Sequence, residues 1–404
     1  MRQSLMNVFI RPAMCAMAIA LPTACGGGST AGIPLDPALQ TSALTRPGDG
    51  ATLRNAVRAC PATADPALAR CLALIRTGGD LKFPGYAPAD LQSAYGLPST
   101  TNGAGQTVAI VDAFDDPNAE SDLAVYRGFY GLPPCGASNG CLLKVNQKGN
   151  HGHFPPPNSG WAFEESLDLD VVSAVCPNCS ILLVEANTPS PQNLGKAVDE
   201  AVALGATIVS NSYIGYDMHG MLEAPHYDHP GVIMTASSGD QGYGVAEPAG
   251  FPTVVSVGGT RLTPARNQRK WKESVWIGTG SGCQARLAKP AWQFDTGCKG
   301  RTMNDVAALA DPARGVRVYD TFYEKGWAVG GGTSIGSPLI ASAYALAGNA
   351  STLDAAQSLY APGASLWDVT VGSNGKCTRR YLCNARTGYD GPTGNGTPNG
   401  ISAF

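Results

Sequence analysis

Short apolar runs that alternate with helical patterns constrain the fold of this 404-residue chain more than any other feature of its sequence. The runs show no polar–apolar alternation, which is typical of strands that are buried on both faces of a parallel sheet. They lie at Thr107–Phe114, Cys179–Ala186, Ala206–Ser210, Gly231–Ala236 and Thr253–Val257. Helical periodicity covers Glu164–Val175 and Leu194–Leu204 between them. The alternation predicts an α/β fold with a central, mainly parallel β-sheet flanked by helices.

The N-terminus has the pattern of a secretory signal peptide. Arg2 and Arg11 precede a short apolar run, Ala13–Leu21, which is too short to cross a bilayer. We therefore expect residues 1–25 to be a signal peptide and the protein to be secreted or held in the cell envelope. Cys25 and the three glycines after it are similar to the lipid-modified cysteine of bacterial lipoproteins. Two interpretations of Cys25 stay open: a lipid anchor to the membrane, or a residue discarded with the signal.

Ten cysteines follow the signal, and they fall into close pairs along the chain. The pairs are 60/71, 135/141, 176/179, 283/298 and 377/383. An even set of local pairs in an exported chain predicts five disulfides. The Cys176–Cys179 pair also matches a redox CxxC motif, but it lies between a helical pattern and a strand rather than opening a helix, which favours a structural bridge.

Composition limits the classes of partner that we expect and divides the chain into a leader and a domain. The net charge is −3, charged residues make up 15% of the sequence and there is no basic run, so we expect no nucleic-acid partner. Residues 26–86 are rich in Ala, Pro and Thr with little strand pattern, which indicates a short N-terminal leader or accessory segment. The α/β pattern extends over 87–404 and predicts one domain, which we expect to be a monomer.

The stretch GGGTSIGSP, Gly330–Pro338, has the form of a turn that presents a nucleophilic serine. Ser334 is followed by a strong helical pattern with Pro338 in its first turn, so the serine would lie at the positive end of a helix dipole. A serine that only caps a turn is the alternative. Nucleophilic attack would require a neighbouring base to take the hydroxyl proton.

The base is more consistent with a carboxylate than with a histidine. Three prolines follow His151 and His153, and they disfavour the helix that would hold such a ring in place. The other histidines, at 219, 226 and 229, lie in a polar stretch and are expected to be solvated. By contrast, Glu164 and Asp168 lie four residues apart, on one helical face, where two carboxyls tend to share a proton. A solvated acidic face is the alternative, although apolar residues flank the pair.

A third acidic position follows a predicted strand directly. Asp240 in SSGD comes after the run Gly231–Ala236, at the carboxyl end of a strand, where active-site groups gather in α/β proteins. A protonated carboxyl there could donate a hydrogen bond to an oxyanion. An aspartate that only caps the turn at Gly239 is the alternative.

Together, GGGTSIGSP, the Glu164–Asp168 pair and SSGD resemble the sedolisin family of serine-carboxyl peptidases over residues 87–404. The resemblance implies a subtilisin-like three-layer fold and hydrolysis of unfolded polypeptides at acidic pH. It implies Ser334 as nucleophile and Glu164 as general base. Asp168 would orient Glu164, and Asp240 would be the oxyanion-hole acid. Within the family an endopeptidase and a tripeptidyl-type aminopeptidase are both open, and a non-catalytic peptide-binding envelope lipoprotein is the alternative outside enzymes.

The resemblance also implies one structural calcium ion in the C-terminal segment. The matching positions are the side chains of Asp368 and Asp390 and the carbonyls of Val369, Arg386 and Gly388. Carboxylates and loop carbonyls are the hard oxygen ligands that calcium takes. A plain Gly/Asp turn is the alternative. Family members usually carry a long folded pro-region, whereas the leader here is short, and we expect Cys60–Cys71 to tie it into a fixed element.

Overall fold

A computed structural model describes residues 55–61, 65–78, 84–215 and 223–404. The predicted signal peptide with Cys25, the leader up to residue 54 and His219 lie outside these ranges, so those predictions remain predictions. Within the described residues, no helix combines the length and the apolar composition needed to traverse a bilayer.

The strands are numbered β1–β18 in chain order. They are β1 Ala56–Arg58, β2 Arg70–Cys71, β3 Leu74–Arg76, β4 Thr107–Ala113, β5 Leu142–Asn146, β6 Ser180–Ala186, β7 Ile208–Asn211, β8 Tyr213–Ile214, β9 Ile233–Ser237, β10 Val254–Pro264, β11 Trp271–Val275, β12 Gly282–Ala288, β13 Gly300–Met303, β14 Val306–Leu309, β15 Val316–Asp320, β16 Gly326–Gly331, β17 Leu366–Trp367 and β18 Thr397–Pro398. The α-helices are α1 Pro88–Tyr95, α2 Ala119–Tyr130, α3 Ser159–Val175, α4 Pro191–Ala203 and α5 Gly336–Ala347.

The central sheet has the order β11-β10-β9-β7-β4-β6-β5, and β14 pairs with β10 beside this path. All of its pairings are parallel except the antiparallel pair of β10 and β11. The residues of β4, β6, β7 and β9 are almost all buried, as expected for strands covered on both faces. The predicted α/β fold, with a mainly parallel sheet flanked by helices, is confirmed.

Helix α3 is the element that carries the predicted carboxylates, and it begins five residues before the predicted start. Asn158 is extended and its side-chain oxygen accepts hydrogen bonds from the backbone N–H groups of Gly160 and Trp161. This cap starts the helix immediately after the three prolines, which themselves stay outside it. Every residue of α3 after Ser159 is buried, so its acidic side chains face the protein interior rather than water.

A second, antiparallel sheet joins the leader to the strand that precedes Ser334. Its order is β1-β3-β16-β15, and the short strand β2 pairs separately with β8. The expectation of little strand structure in the leader is wrong for residues 56–76. Strands of two or three residues show no detectable periodicity, and their partners lie far away in the sequence.

All five predicted disulfides are confirmed. From Cys60 onward, the ten cysteines pair two by two in the order in which they occur in the chain, and Cys176–Cys179 is one of the bridges. The sequence separations run from 3 to 15 residues, so each bridge braces a local loop.

Candidate active site

Ser334 lies in a tight turn between β16 and α5. The 3₁₀ turn Thr333–Ile335 links the two elements, and the Ser334 side chain is completely buried. Gly332 precedes the turn with φ of +96°, and a Cβ there would lie 2.3 Å from the Leu72 carbonyl oxygen and 2.6 Å from Asp240 Oδ2. Only glycine combines that backbone conformation with so close an approach. The glycine therefore lets two other segments meet beside the serine.

Glu164 lies close enough to Ser334 for the serine hydroxyl to affect its ionisation. Burial raises the pKa of Glu164 to about 8, while its interaction with the Ser334 hydroxyl lowers this pKa. Its Oε2 accepts hydrogen bonds from the backbone N–H groups of Leu72 and Ala73, both at 2.6 Å. Glu164 Oε1 and Ser334 Oγ have no hydrogen-bond partner among the described residues. Both side chains are completely buried, so bulk water does not reach the hydroxyl or the carboxyl.

Asp168 lies one helical turn after Glu164 and is also completely buried. Its two carboxyl oxygens accept from Ser212 Oγ at 2.9 and 2.8 Å. Burial raises the pKa of Asp168 well above its ordinary value, and the charge of Glu164 raises it further. The two carboxyls therefore resist ionising together, as the spacing predicts.

Asp112 is a third carboxyl of this group, and the sequence analysis missed it. It lies near the end of β4 with no exposed surface, and neither carboxyl oxygen has a hydrogen-bond partner among the described residues. Burial raises its pKa well above the ordinary value, and the charges of Asp168 and Glu164 add to the effect. The available signal was an acidic residue in an otherwise apolar strand, close to the strand's carboxyl end.

Asp240 follows β9 and turns one oxygen toward Gly332. Its Oδ1 accepts from the N–H and the Oγ1 of Thr333 at 2.9 and 2.8 Å. Its Oδ2 has no hydrogen-bond partner in the part of the chain that the structure describes. Burial raises the pKa of Asp240 to about 6, against the lowering effect of the Thr333 N–H and of the positive charges on Arg58 and Arg70. A neutral Asp240 would hold its proton on the unpartnered oxygen.

Two of the four described histidines pair with an aspartate, and the other two are exposed. His226 Nδ1 and His229 Nε2 lie 2.7 and 3.1 Å from the carboxylate oxygens of Asp199. Both rings are only about a quarter exposed, so the prediction that they are solvated is wrong. The side chains of His151 and His153 are exposed.

The five predicted calcium positions lie in two adjacent loops. The Gly388 N–H donates to Asp368 Oδ2 at 2.9 Å, which joins the loops directly. Asp390 is buried and accepts from the Arg386 N–H at 3.0 Å, while Val369 is buried beside Asp368. Among the described residues, no group of three or more His, Cys, Asp or Glu side chains is arranged so that it could hold a metal ion. Any cation here would have to take much of its coordination from backbone carbonyls.

Comparison with known proteins shows what the chain is similar to. No family model matches the chain. Kumamolisin of Bacillus sp. strain MN-32 is 29% identical over 360 residues, covering 78% of this chain and 62% of kumamolisin. Sedolisin of Pseudomonas sp. strain 101 is 25% identical over 361 residues, covering 78% of this chain and 60% of sedolisin. The structure of Pseudomonas sedolisin, a serine-carboxyl proteinase complexed with two molecules of pseudo-iodotyrostatin, superposes with a TM-score of 0.67 over 78% of this chain and 95% of that one. These similarities support the sedolisin family for this chain.

The structural match to sedolisin accounts for the fold, which is the subtilisin-like α/β fold that the sequence resemblance implied. The chain spans about 60% of the length of the two curated relatives. The structural match covers nearly the whole of the sedolisin structure, so the two chains share their described core rather than a fragment of it.

Proposed function

We propose that this member of the sedolisin family is an endopeptidase that hydrolyses unfolded polypeptides at acidic pH. The observation that carries the proposal is the burial of the Ser334 hydroxyl close enough to the Glu164 carboxyl to lower the pKa of that carboxyl. A serine hydroxyl becomes a useful nucleophile when an adjacent base accepts its proton. Glu164 is the carboxyl beside Ser334, whereas His226 and His229 pair with Asp199 and the side chains of His151 and His153 are exposed.

The proton has a short route in this arrangement. Glu164 and Asp168 share one proton, and the reactive state is the one in which Asp168 holds it and Glu164 is ionised. In that state Ser334 Oγ attacks the substrate carbonyl while Glu164 takes the hydroxyl proton, and Glu164 then delivers it to the departing amide nitrogen. Because Asp168 is neutral, Glu164 can ionise without a second negative charge beside it. Asp112 is also held neutral, because burial and the charges of Asp168 and Glu164 raise its pKa. It therefore adds no second negative charge near Glu164. Hydrolysis of the acyl-enzyme repeats these transfers with water as the nucleophile.

Asp240 supplies the stabilisation of the oxyanion. Its unpartnered Oδ2 can donate only while protonated, and burial raises its pKa to about 6. The donor is therefore present below about pH 6 and is lost as the pH rises through that value. This dependence is the basis of the acidic range in the proposal.

An endopeptidase is favoured over a tripeptidyl-type aminopeptidase by the path of the leader. The segment Ala69–Ile75 passes through the site, with Leu72 and Ala73 at Glu164 and chain continuing on both sides. A cleft that removes tripeptides would have to be closed three residues before the cleaved bond. Here the leader extends more than three residues before the Leu72–Ala73 bond. The non-catalytic alternative is disfavoured because Ser334, Glu164 and Asp240 are all present and completely buried, and both Ser334 and Asp240 affect the pKa of Glu164.

A structural calcium ion in the C-terminal loops belongs to the same proposal. The Gly388 N–H donates to Asp368 and the Arg386 N–H donates to Asp390, so one loop, with Gly388 at φ of +73°, runs past both carboxylates. Two carboxylates with several carbonyls suit a hard cation of calcium's size. Asp368 and Asp390 would supply side-chain oxygens, and Val369, Arg386 and Gly388 would supply carbonyls. The bound ion would fix the C-terminal loops and take no part in the proton transfers.

Export, a lipid anchor at Cys25 and a monomeric state complete the proposal. Five disulfides between neighbouring cysteines support maturation in an oxidising compartment. Incorporation of a radiolabelled fatty acid into the wild-type chain but not into Cys25→Ser would test the anchor.

The catalytic proposal is tested by comparing wild type with Ser334→Ala and Glu164→Gln on an acid-denatured protein between pH 3 and 7. Glu165→Gln is the matched control, because Glu165 is equally buried on the same helix. We expect hydrolysis by wild type and by the control, and a loss of at least about 10³-fold in the two site variants. Equal hydrolysis by all four proteins would exclude these residues from catalysis.

A further inference from the structure

We propose that the segment Ala69–Ile75, hereafter the leader loop, is a built-in inhibitor that occupies the cleft in the register of a substrate. Leu72 takes the position of the residue on the carbonyl side of the bond to be cut, so the enzyme prefers substrates with an aliphatic residue there. The inference rests on the proposed peptidase function and adds the substrate preference and its internal competitor.

Upstream of the Leu72–Ala73 bond, the leader loop pairs with the cleft as an added strand. Strand β2 is antiparallel to β8, with Arg70 opposite Ile214 and Cys71 opposite Tyr213. The Leu72 N–H then donates to the Ser212 carbonyl at 3.3 Å. Extended peptides bind proteins by this kind of pairing with an exposed strand edge. In the described residues β8 pairs with no strand other than β2, so the leader loop covers an edge that a substrate would use.

Downstream of the same bond, the leader loop pairs with the strand that leads to the nucleophile. Strand β3 is antiparallel to β16, with Leu74 opposite Gly331 and Ile75 opposite Gly330. Gly331 lies three residues before Ser334. Both sides of the Leu72–Ala73 bond are thus tied to elements that build the site.

The Leu72–Ala73 bond itself lies among the catalytic groups. Glu164 Oε2 is 2.6 Å from the Ala73 nitrogen, the atom that would leave as an amine. The Leu72 carbonyl oxygen and Asp240 Oδ2 both border Gly332. In the reaction, a bond forms between Ser334 Oγ and the Leu72 carbonyl carbon. The carbon–nitrogen bond breaks, and the serine proton passes through Glu164 to the Ala73 nitrogen. Attack of that amine on the acyl-enzyme reverses the step.

The Leu72 side chain fills an apolar pocket. It is 1% exposed and packs against Ile214 and Ala246. Ile214 lies on β8, so the strand that binds the substrate backbone also lines the pocket. A lining of aliphatic groups accepts an aliphatic side chain and leaves a charged one without a partner. Ile214 and Ala246 are therefore specificity-determining residues.

Two features make the leader loop an inhibitor rather than a substrate that is cleaved and released. Cys71, directly before Leu72, is tied to Cys60, which fixes the loop in its bound conformation. Strand β1 pairs with β3, and the Ala59 N–H donates to the Ala73 carbonyl at 3.0 Å. The chain before the bond is thus fastened to the chain after it. If the bond is cut, the new ends stay together at high effective concentration and rejoining competes with release.

Substrate preference is tested with the full chain and two fluorogenic peptides that differ only in Leu or Asp on the carbonyl side of the cut. We expect kcat/KM for the Leu peptide to exceed that for the Asp peptide by at least about tenfold. Equal values would overturn the assignment of the pocket.

Occupancy is tested by Leu72→Asp, with Val57→Asp as the control because Val57 is 44% exposed on the same leader. We expect the initial rate on the Leu peptide to rise at least about tenfold in Leu72→Asp, since one buried leucine is worth a factor of ten or more in binding. The control should match wild type. Equal initial rates in an active wild type and an active Leu72→Asp would overturn the inhibitor role while leaving the peptidase function intact. No hydrolysis of either peptide by any of the proteins would instead overturn the peptidase function, and the inference with it.

A second variant covers the case in which Leu72→Asp does not fold, as judged by circular dichroism. The double variant Cys60→Ser/Cys71→Ser should accumulate chain that begins at Ala73 several-fold faster than wild type during acid incubation, read by intact mass after denaturation. The same variant with Ser334→Ala should show no such fragment. Fragment formation at the wild-type rate would overturn the role of the disulfide-braced loop.

Discussion

Replacing Asp240 by asparagine should make hydrogen-bond donation to the oxyanion independent of pH. The Asp240 Oδ1 accepts from Thr333, and Oδ2 is the unpartnered oxygen beside Gly332. An asparagine can keep the carbonyl oxygen toward Thr333 and place its NH₂ where the protonated oxygen was. That NH₂ donates at every pH, whereas the carboxyl donates only below its pKa of about 6.

The size of the effect follows from that pKa. The protonated fraction of Asp240 falls from about 97% at pH 4.5 to about 3% at pH 7.5, a change of about 30-fold. The ratio of kcat/KM for Asp240→Asn to that for wild type should therefore rise about 30-fold over this range, whatever its starting value. Peptide hydrolysis measured at half-unit pH intervals gives the ratio directly.

Asp240→Ala completes the comparison. It removes the donor altogether and should lose about 10²–10³-fold in kcat at pH 4.5. It should also lose the dependence on the Asp240 titration. If wild type and Asp240→Asn show parallel pH profiles, the fall in activity above pH 6 comes from another group and the assigned role of Asp240 is wrong.

Three further predictions concern stability and the site's shape. Burial raises the pKa of Asp116 to about 7, so this carboxyl is neutral when folded and ionised when unfolded; from about pH 4 up to the folded pKa it should lower the free energy of unfolding by about 1.4 kcal/mol per pH unit, and urea denaturation that gave a constant or rising value would contradict this. Chelation of calcium should lower the Tm of wild type by about 5 °C and leave Asp390→Asn, already deprived of a ligand, unchanged; an equal shift in both proteins would argue against the C-terminal site. Gly332→Ala should cost about 1–3 kcal/mol in the free energy of unfolding and abolish hydrolysis, because the new Cβ would meet the Leu72 carbonyl and Asp240 Oδ2; a variant as stable as wild type would show that the turn relaxes.

The central sheet was predictable because its signal is local. A strand buried on both faces must be apolar along its length, and β4, β6, β7 and β9 all lie within the predicted runs or within a residue of them. Strand β10 extends seven residues beyond its predicted end at Val257. That extension contains paired glycines and exposed or half-buried positions, and it is fixed by pairing with β11 and β14 rather than by its own pattern.

The candidate site was predictable only in part. The spacing of Glu164 and Asp168 on one helical face follows from helix geometry, and the position of Asp240 follows from the end of a strand. Glu164 and Ser334 are 170 positions apart in the sequence. Periodicity predicts only local neighbours, so the expectation that these two residues lie close together came from the family resemblance. Asp112 and the leader loop were missed because a single acid in a strand and two- or three-residue strands carry no pattern of their own.

The disulfide pattern bears on how the chain acquires its bridges. Each cysteine from Cys60 to Cys383 bonds to its nearest following or preceding cysteine, and no two of these five closed segments overlap along the sequence. When the chain is exported with its N-terminus first, both cysteines of each native pair emerge before the next pair does. Oxidation in order of emergence therefore yields the native set, with no shuffling of wrong pairs and no requirement for an isomerase.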